Sequence, residues 1–103
     1  MAPGAPVNIA TLIESRPGLH GGRPCLAGTG MTVHAIARRY LQGQRAEQMA
    51  ADLPDIPLSH IHAAIAYYLA NRERIDGELT GDQAESDRLF AAWQGERRTE
   101  TSS

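Results

Sequence analysis

Gly21-Gly22-Arg23-Pro24-Cys25-Leu26-Ala27-Gly28-Thr29-Gly30-Met31-Thr32-Val33 is the stretch on which the fold turns. It sets four glycines and a proline around a short apolar segment, then runs straight into a helix start. Glycine adopts backbone angles that residues with a Cβ resist, so this density predicts tight turns with little room for side chains. Pro24 to Ala27 reads as a short strand between those turns. Thr32 is placed to cap the helix that follows, its hydroxyl accepting from a first-turn N–H that has no partner inside the helix. Three short helical patterns come next. Turn, strand, turn and three helices is the layout of a small DNA-binding or partner-binding module rather than of an enzyme.

Toward the N-terminus, Val7, Ile9, Leu12 and Ile13 form an apolar segment that ends at the turn residues Arg16-Pro17-Gly18. Two short strands alone are marginal in water, so this region must pack on the helices or pair with a second copy of the chain. Toward the C-terminus, Val33, Ile36, Ala37, Tyr40 and Leu41 recur at steps of three and four. They predict a helix over 33–41, stopped by Gly43. Ala46, Met49, Ala50 and Leu53 predict a second over 46–53, ended by Pro54. Pro57 opens a third, with Ile61, Ala64, Ile65, Tyr68 and Leu69 on one face. That helix is expected to run to Ile75 and stop near Gly77. A fourth is expected over 83–94, carrying Leu89, Phe90 and Trp93. Gly95 to Ser103 reads as a disordered polar tail, and Met1 to Pro6 as a flexible leader. The expected organisation is a leader over 1–6, a strand region with a helical domain over 7–77, and a C-terminal helix and tail over 78–103.

A chain of 103 residues makes one domain and buries a modest core, so a second copy or a partner is a natural source of added stability. No apolar run approaches the roughly 20 residues that span a bilayer, so no membrane association is expected. Cys25 is the single cysteine, which excludes an internal disulfide framework and a thiolate zinc site. The expected location is a reducing cytoplasm. The net charge of −2 conceals an asymmetry. Residues 1–45 carry Arg16, Arg23, Arg38, Arg39 and Arg45 against Glu14 alone, and the remainder is acidic. A basic half suits a polyanion and an acidic half a basic protein, although ordinary solvated surface accounts for so small a net charge equally well.

Catalytic and cofactor chemistry find little footing. Gly28-Thr29-Gly30 lacks the lysine that a phosphate loop needs, and the chain has no lysine at all. His60 and His62 lie two apart, so on a helix they diverge and do not share a metal. His20 and His34 have no Asp, Glu or Cys at ligand spacing. Cys25, in an apolar segment, reads as a small buried side chain rather than a nucleophile. No catalytic residue, metal site or cofactor is expected.

In a helix-turn-helix the third helix enters the major groove with its first residues. Here Ser59, His60 and His62 would face bases, with Arg38, Arg39 and Arg45 the nearest candidates for phosphates. Any three-helix bundle shows the same spacing, so the pattern alone does not separate DNA contact from simple packing. Phe90 and Trp93 either close the core of their own domain or anchor a partner, since aromatics are enriched in interface hot spots.

The segment from Ile13 to Asp76 resembles the bacterial family called domain of unknown function 433. The resemblance rests on Gly21-Gly22-Arg23-Pro24, Cys25-Leu26-Ala27 and Gly28-Thr29-Gly30-Met31. It continues through Gly43, Pro54 and Ala63-Ala64-Ile65-Ala66-Tyr67. It implies a mainly α fold: a three-helix helix-turn-helix, winged-helix-like core, with a short N-terminal β-hairpin or strand region used for dimerisation, plus a C-terminal helix. It further implies an antitoxin similar to VapB-type antitoxins, which neutralises a PIN-like ribonuclease toxin and represses its own operon.

Four positions depart from the family's pattern. Gly30 stands where arginine is usual, Arg45 and Pro57 where Ser or Thr caps are common, and His62 where arginine is common. The third helix therefore carries no permanent positive charge before Arg72. PIN-like nucleases hold divalent metal in a carboxylate cluster, and a guanidinium is well shaped to enter such a pocket. Leu89, Phe90 and Trp93 are then expected to anchor the toxin, with Arg88, Arg97 or Arg98 reaching its metal site. A stand-alone helix-turn-helix regulator and an interaction adaptor without DNA binding are the alternative functions.

Overall fold

The structure is a computed structural model that describes the backbone of residues 6–101 and the side chains of residues 6–95. Asn8 starts the N-terminal segment. Its side chain accepts from the Ala10 N–H at 3.0 Å, and its carbonyl accepts from the Thr11 N–H at 2.9 Å. These bonds draw Ile9–Leu12 into a 3-10 turn, where the apolar spacing alone reads as strand. The segment then enters β1 (Ile13–Glu14), which pairs antiparallel with β2 (Cys25–Leu26), Ile13 opposite Leu26.

Between the strands the chain makes a second tight turn at His20–Gly22, where three successive residues take left-handed angles. After β2 it reverses over Gly28 (φ 74°), with the Thr29 hydroxyl donating to the Leu26 carbonyl at 2.8 Å. The Leu26 N–H then donates to Met31 O at 2.9 Å, and the Val33 N–H to Pro24 O at 2.9 Å. The glycine-rich stretch is thus stitched back on itself and delivers the chain to α1 at a fixed angle.

α1 spans Val33–Leu41, as its periodicity predicts, and Thr32 Oγ1 accepts from the Ala35 N–H at 3.0 Å. At its other end Gln44 N–H bonds to Arg39 O and Gly43 N–H to Tyr40 O, a paired C-terminal closure that needs the positive φ of Gly43. α2 spans Ala46–Asp52. Arg45 has no acceptor to offer as its cap. Instead Gln48 Oε1 takes the Arg45 N–H at 2.7 Å.

α3 spans Leu58–Ala70 and is the hub of this part of the chain, packing on α1, α2, the first 3-10 turn and both strands. Leu26, Val33, Ile36, Ala37, Met49, Ile61, Ala64 and Tyr68 are all sealed from solvent. The Tyr40 ring meets Tyr68 edge-on, with centroids 6.0 Å apart. The short sheet finds its cover on α3, within one chain.

Two expectations are corrected beyond α3. The third helix does not continue to Ile75. It ends at Ala70 because Asn71 leaves helical geometry and its side-chain amide donates to Tyr67 O at 3.0 Å. The chain then forms one helix, α4 (Arg72–Thr101), through Gly77, Gly81 and Gly95, in place of a separate helix over 83–94; Ser102 and Ser103 of the expected tail lie outside the described residues. The segment is rich in helix-forming Glu, Gln, Arg and Ala, and pairs such as Gln83 with Asp87 at 2.9 Å brace successive turns. Two units result, the first running to Arg72 and the second starting at Glu73, a few residues before the boundary expected at 77. Among the described residues the fold is mainly α, with four helices and one short antiparallel pair of strands.

Candidate functional site

The basic residues of the first unit separate into groups with different fates. Arg39, on α1, turns toward α2: its Nη1 lies 3.4 Å from Asp52 Oδ2 and donates to Gln44 Oε1 at 3.3 Å. A guanidinium so engaged ties two helices together. Arg45 is exposed at the start of α2. Arg38, one residue before Arg39, points another way. It lines a cleft of about 430 Å³ together with His20, Arg23 and His34, floored by Gly30, Met31, Thr32 and Ala35. The sequence points to Arg38 as a phosphate contact and to Arg23 as part of a basic half, but nothing in its spacing joins them to His20 and His34. The signal that could have found the group is the pairing of a basic glycine-rich turn with a helix start, since both ends of the cleft are written in one continuous stretch.

At the first turn of α3, Ser59 and His62 are exposed and His60 is half-buried, with Ser59 Oγ and His60 Nδ1 3.3 Å apart. The rest of the outer face of α3 carries Ala66 and Leu69, the latter 46% exposed. Cationic side chains are therefore gathered at the cleft and along α1, and the surface of α3 offers polar and apolar groups.

A second feature of the first unit is an apolar groove of about 460 Å³ between the N-terminal segment and α3, lined by Ile9, Ile13, Pro24, Ala63 and Tyr67 among others. Ile9 is 66% exposed, and Val7, two residues before it in the chain, 71%. Cys25 lies under the sheet, 1% exposed, its Sγ–H directed at Arg23 O at 3.4 Å. Burial pushes the thiol above its ordinary pKa, and the nearby Glu14 carboxylate adds to that against the opposing charge of Arg16. It is a packed side chain with its nucleophilic form suppressed. Among the described residues no cluster of His, Cys, Asp and Glu is arranged to hold a metal ion, and no helix is long and apolar enough to cross a membrane.

In the second unit Leu89, Phe90 and Trp93 stand 61%, 56% and 48% exposed. The Phe90 and Trp93 rings stack at 5.8 Å with 28° between their planes. Three large apolar side chains on adjacent turns form a preassembled hydrophobic ridge, flanked by Arg88, which is paired with Glu85. The side chains of Arg97 and Arg98 lie outside the described residues.

Comparison with known proteins gives two matches. A family model described as "Protein of unknown function (DUF433)" matches residues 13–68. The fold is similar to the crystal structure of a DUF433 member protein from Anabaena variabilis ATCC 29413. The two share 28% identity at a TM-score of 0.62, with 68% of this chain and 69% of that one covered. No curated protein matches the chain.

Proposed function

We propose that this chain, which belongs to the DUF433 family, is the antitoxin of a toxin–antitoxin pair and acts by binding rather than by catalysis. It occupies and silences a PIN-like ribonuclease through α4. The observation that carries the reading is the exposed ridge of Leu89, Phe90 and Trp93. Large aromatic side chains left to water on a long helix are costly unless a partner covers them, and such residues dominate interface energetics. A helix presenting anchors at i, i+1 and i+4 is suited to a partner's groove. Arg88, Arg97 and Arg98 are the residues this reading assigns to the carboxylates that a PIN-like nuclease uses to hold metal. The protein works in the cytoplasm, where its single thiol stays reduced.

Operator binding is the second activity of this reading, by a helix-turn-helix in which α2 braces and α3 meets the groove with Ser59, His60 and His62. The tight Pro54 to Pro57 joint between α2 and α3, and the surface position of these three residues, support it. Arg38 and Arg45 are the phosphate contacts, Arg39 being engaged with Asp52. Dimerisation uses the N-terminal strand region and the apolar groove lined by Ile9, with the exposed aliphatic side chains of Val7 and Ile9 in the same segment of chain.

Co-expression with the product of the neighbouring reading frame tests the function directly. Recovery of a stable complex whose ribonuclease activity returns when this chain is removed is the expected result. A neighbouring product that cleaves RNA equally well with and without the chain defeats the proposal.

A further inference from the structure

α3 carries no aspartate, glutamate, lysine or arginine along its 13 residues. One side of it builds the core through Ile61, Ala64 and Tyr68. The opposite side is also largely apolar. Leu58 and Leu69 are 40% and 46% exposed, Ile65 is half-buried, and His62 is exposed. These four recur at steps of four, three and four, so they form one stripe along the outer face. A helix that is uncharged and apolar on every side is the kind that an assembly buries.

The charge of this face limits what covers it. A nucleic-acid backbone or a charged protein groove finds no countercharge among its side chains. A second uncharged helix does fit, and the stripe is complementary to itself. The step from Leu58 to His62 equals the step from Ile65 to Leu69. Two copies of α3 lying antiparallel across a two-fold axis therefore share one register, with Leu58 opposite Leu69 of the second copy and His62 opposite Ile65 of the second copy. The symmetry repeats both contacts. Steps of three and four are those by which packed helices interdigitate.

Area adds a second constraint. A helix of this length is about 20 Å long, so the stripe alone falls short of the roughly 800 Å² per partner that a stable dimer buries. The apolar surface does not stop at the stripe. Ala66 is exposed, lies one turn from both His62 and Leu69, and also lines the apolar groove with Ile9 and Tyr67. Stripe and groove are thus continuous. We propose that the outer face of α3 is a self-association surface, covered by α3 of a second copy of this chain in the antiparallel register that sets Leu58 against Leu69. This pairing rests on the dimeric reading given above and places its two-fold axis across α3. His62 then lies inside the pair, so α3 meets a DNA groove only once the pair opens.

The full-length chain is tested by sedimentation equilibrium and by thiol cross-linking. His62→Glu changes an exposed side chain, so its circular dichroism spectrum should match the wild type. It sets a carboxylate in an apolar contact and should weaken self-association at least tenfold, whereas the uncharged His62→Gln should not. Cys25 is 1% exposed, so introduced thiols are the reactive ones. Leu58→Cys together with Leu69→Cys should give a covalent dimer with a short bifunctional thiol reagent. Neither single variant should, because two copies of either position stand roughly 16 Å apart along the pair. A dimer that persists in His62→Glu but dissociates in Val7→Asp with Ile9→Asp overturns the α3 pairing and keeps the dimer. Single variants that cross-link as fully as the double variant overturn the register. A wild type that sediments as one chain at micromolar concentration overturns both the pairing and the dimer.

Discussion

Cys25 shows what a single residue's surroundings decide. It sits in an apolar strand and is sealed, and burial raises its thiol pKa with Glu14 assisting. When the folded value lies above the unfolded one, stability is intact below the ordinary thiol pKa. It falls as pH rises toward the folded value, because the unfolded chain ionises first. The wild type should therefore lose stability more steeply than Cys25→Ala above pH ~8.5, as read from urea midpoints across that range. Parallel curves would show that the thiol does not titrate with folding. Trp93 poses the opposite case, a large side chain that its own fold leaves in water. As an anchor, Trp93→Ala should cost about 2 kcal/mol of ribonuclease affinity by calorimetry while leaving the melting curve alone. A loss of stability with no loss of affinity would mark it as a folding residue instead. Cys25, Thr32 and Gly43 were legible in the sequence because each obeys a rule that operates within a few residues. The convergence of His20, Arg23, His34 and Arg38 was not. Its turn members His20 and Arg23 stand eighteen and fifteen positions before its helical member Arg38, and only the specific path of the glycine-rich turn, which no periodicity encodes, brings them to one cleft.

At the scale of elements, α1 matched its periodicity end to end because cap, apolar face and terminating glycine all agree. The last two helices did not. Gly77 reads as a stop by local propensity, yet glycine inside a helix costs only ~1 kcal/mol, and neighbouring residues outweigh it. Asn71 is the real break, and it works through a side-chain bond to Tyr67 O that only the finished helix presents. Likewise Val7 to Ile13 was legible as an apolar run but not as a 3-10 turn, since Asn8 decides the local conformation by hydrogen bonding, nor as one that leaves Val7 and Ile9 exposed. If α4 is continuous across its glycines, Gly77→Ala and Gly81→Ala should each raise its helicity, because an added Cβ meets nothing within 4 Å at either site. Far-ultraviolet circular dichroism during heating should show helix persisting to higher temperature, by about 0.5–1 kcal/mol per substitution. A fall in helicity would mean that the chain bends at one of these residues.

For the molecule as a whole, family membership, a sealed α3-centred core and an aromatic ridge on a separate unit make a consistent division of labour. The first unit offers a cationic cleft and an apolar groove, and the second an anchor. Association through the groove predicts a mass of two chains by light scattering at micromolar concentration. Val7→Asp with Ile9→Asp should reduce it to one, and a wild type that already runs as one chain removes the groove from the account. The central claim is that α4 beyond the core silences a ribonuclease. It is tested most directly by the rate of RNA cleavage by the neighbouring frame's product, with the full chain and with a chain ending at Gly81. The full chain should abolish cleavage, and the shortened one, with the fold of its first unit intact, should leave it running. Equal silencing by both would contradict the claim and return Leu89, Phe90 and Trp93 to ordinary surface.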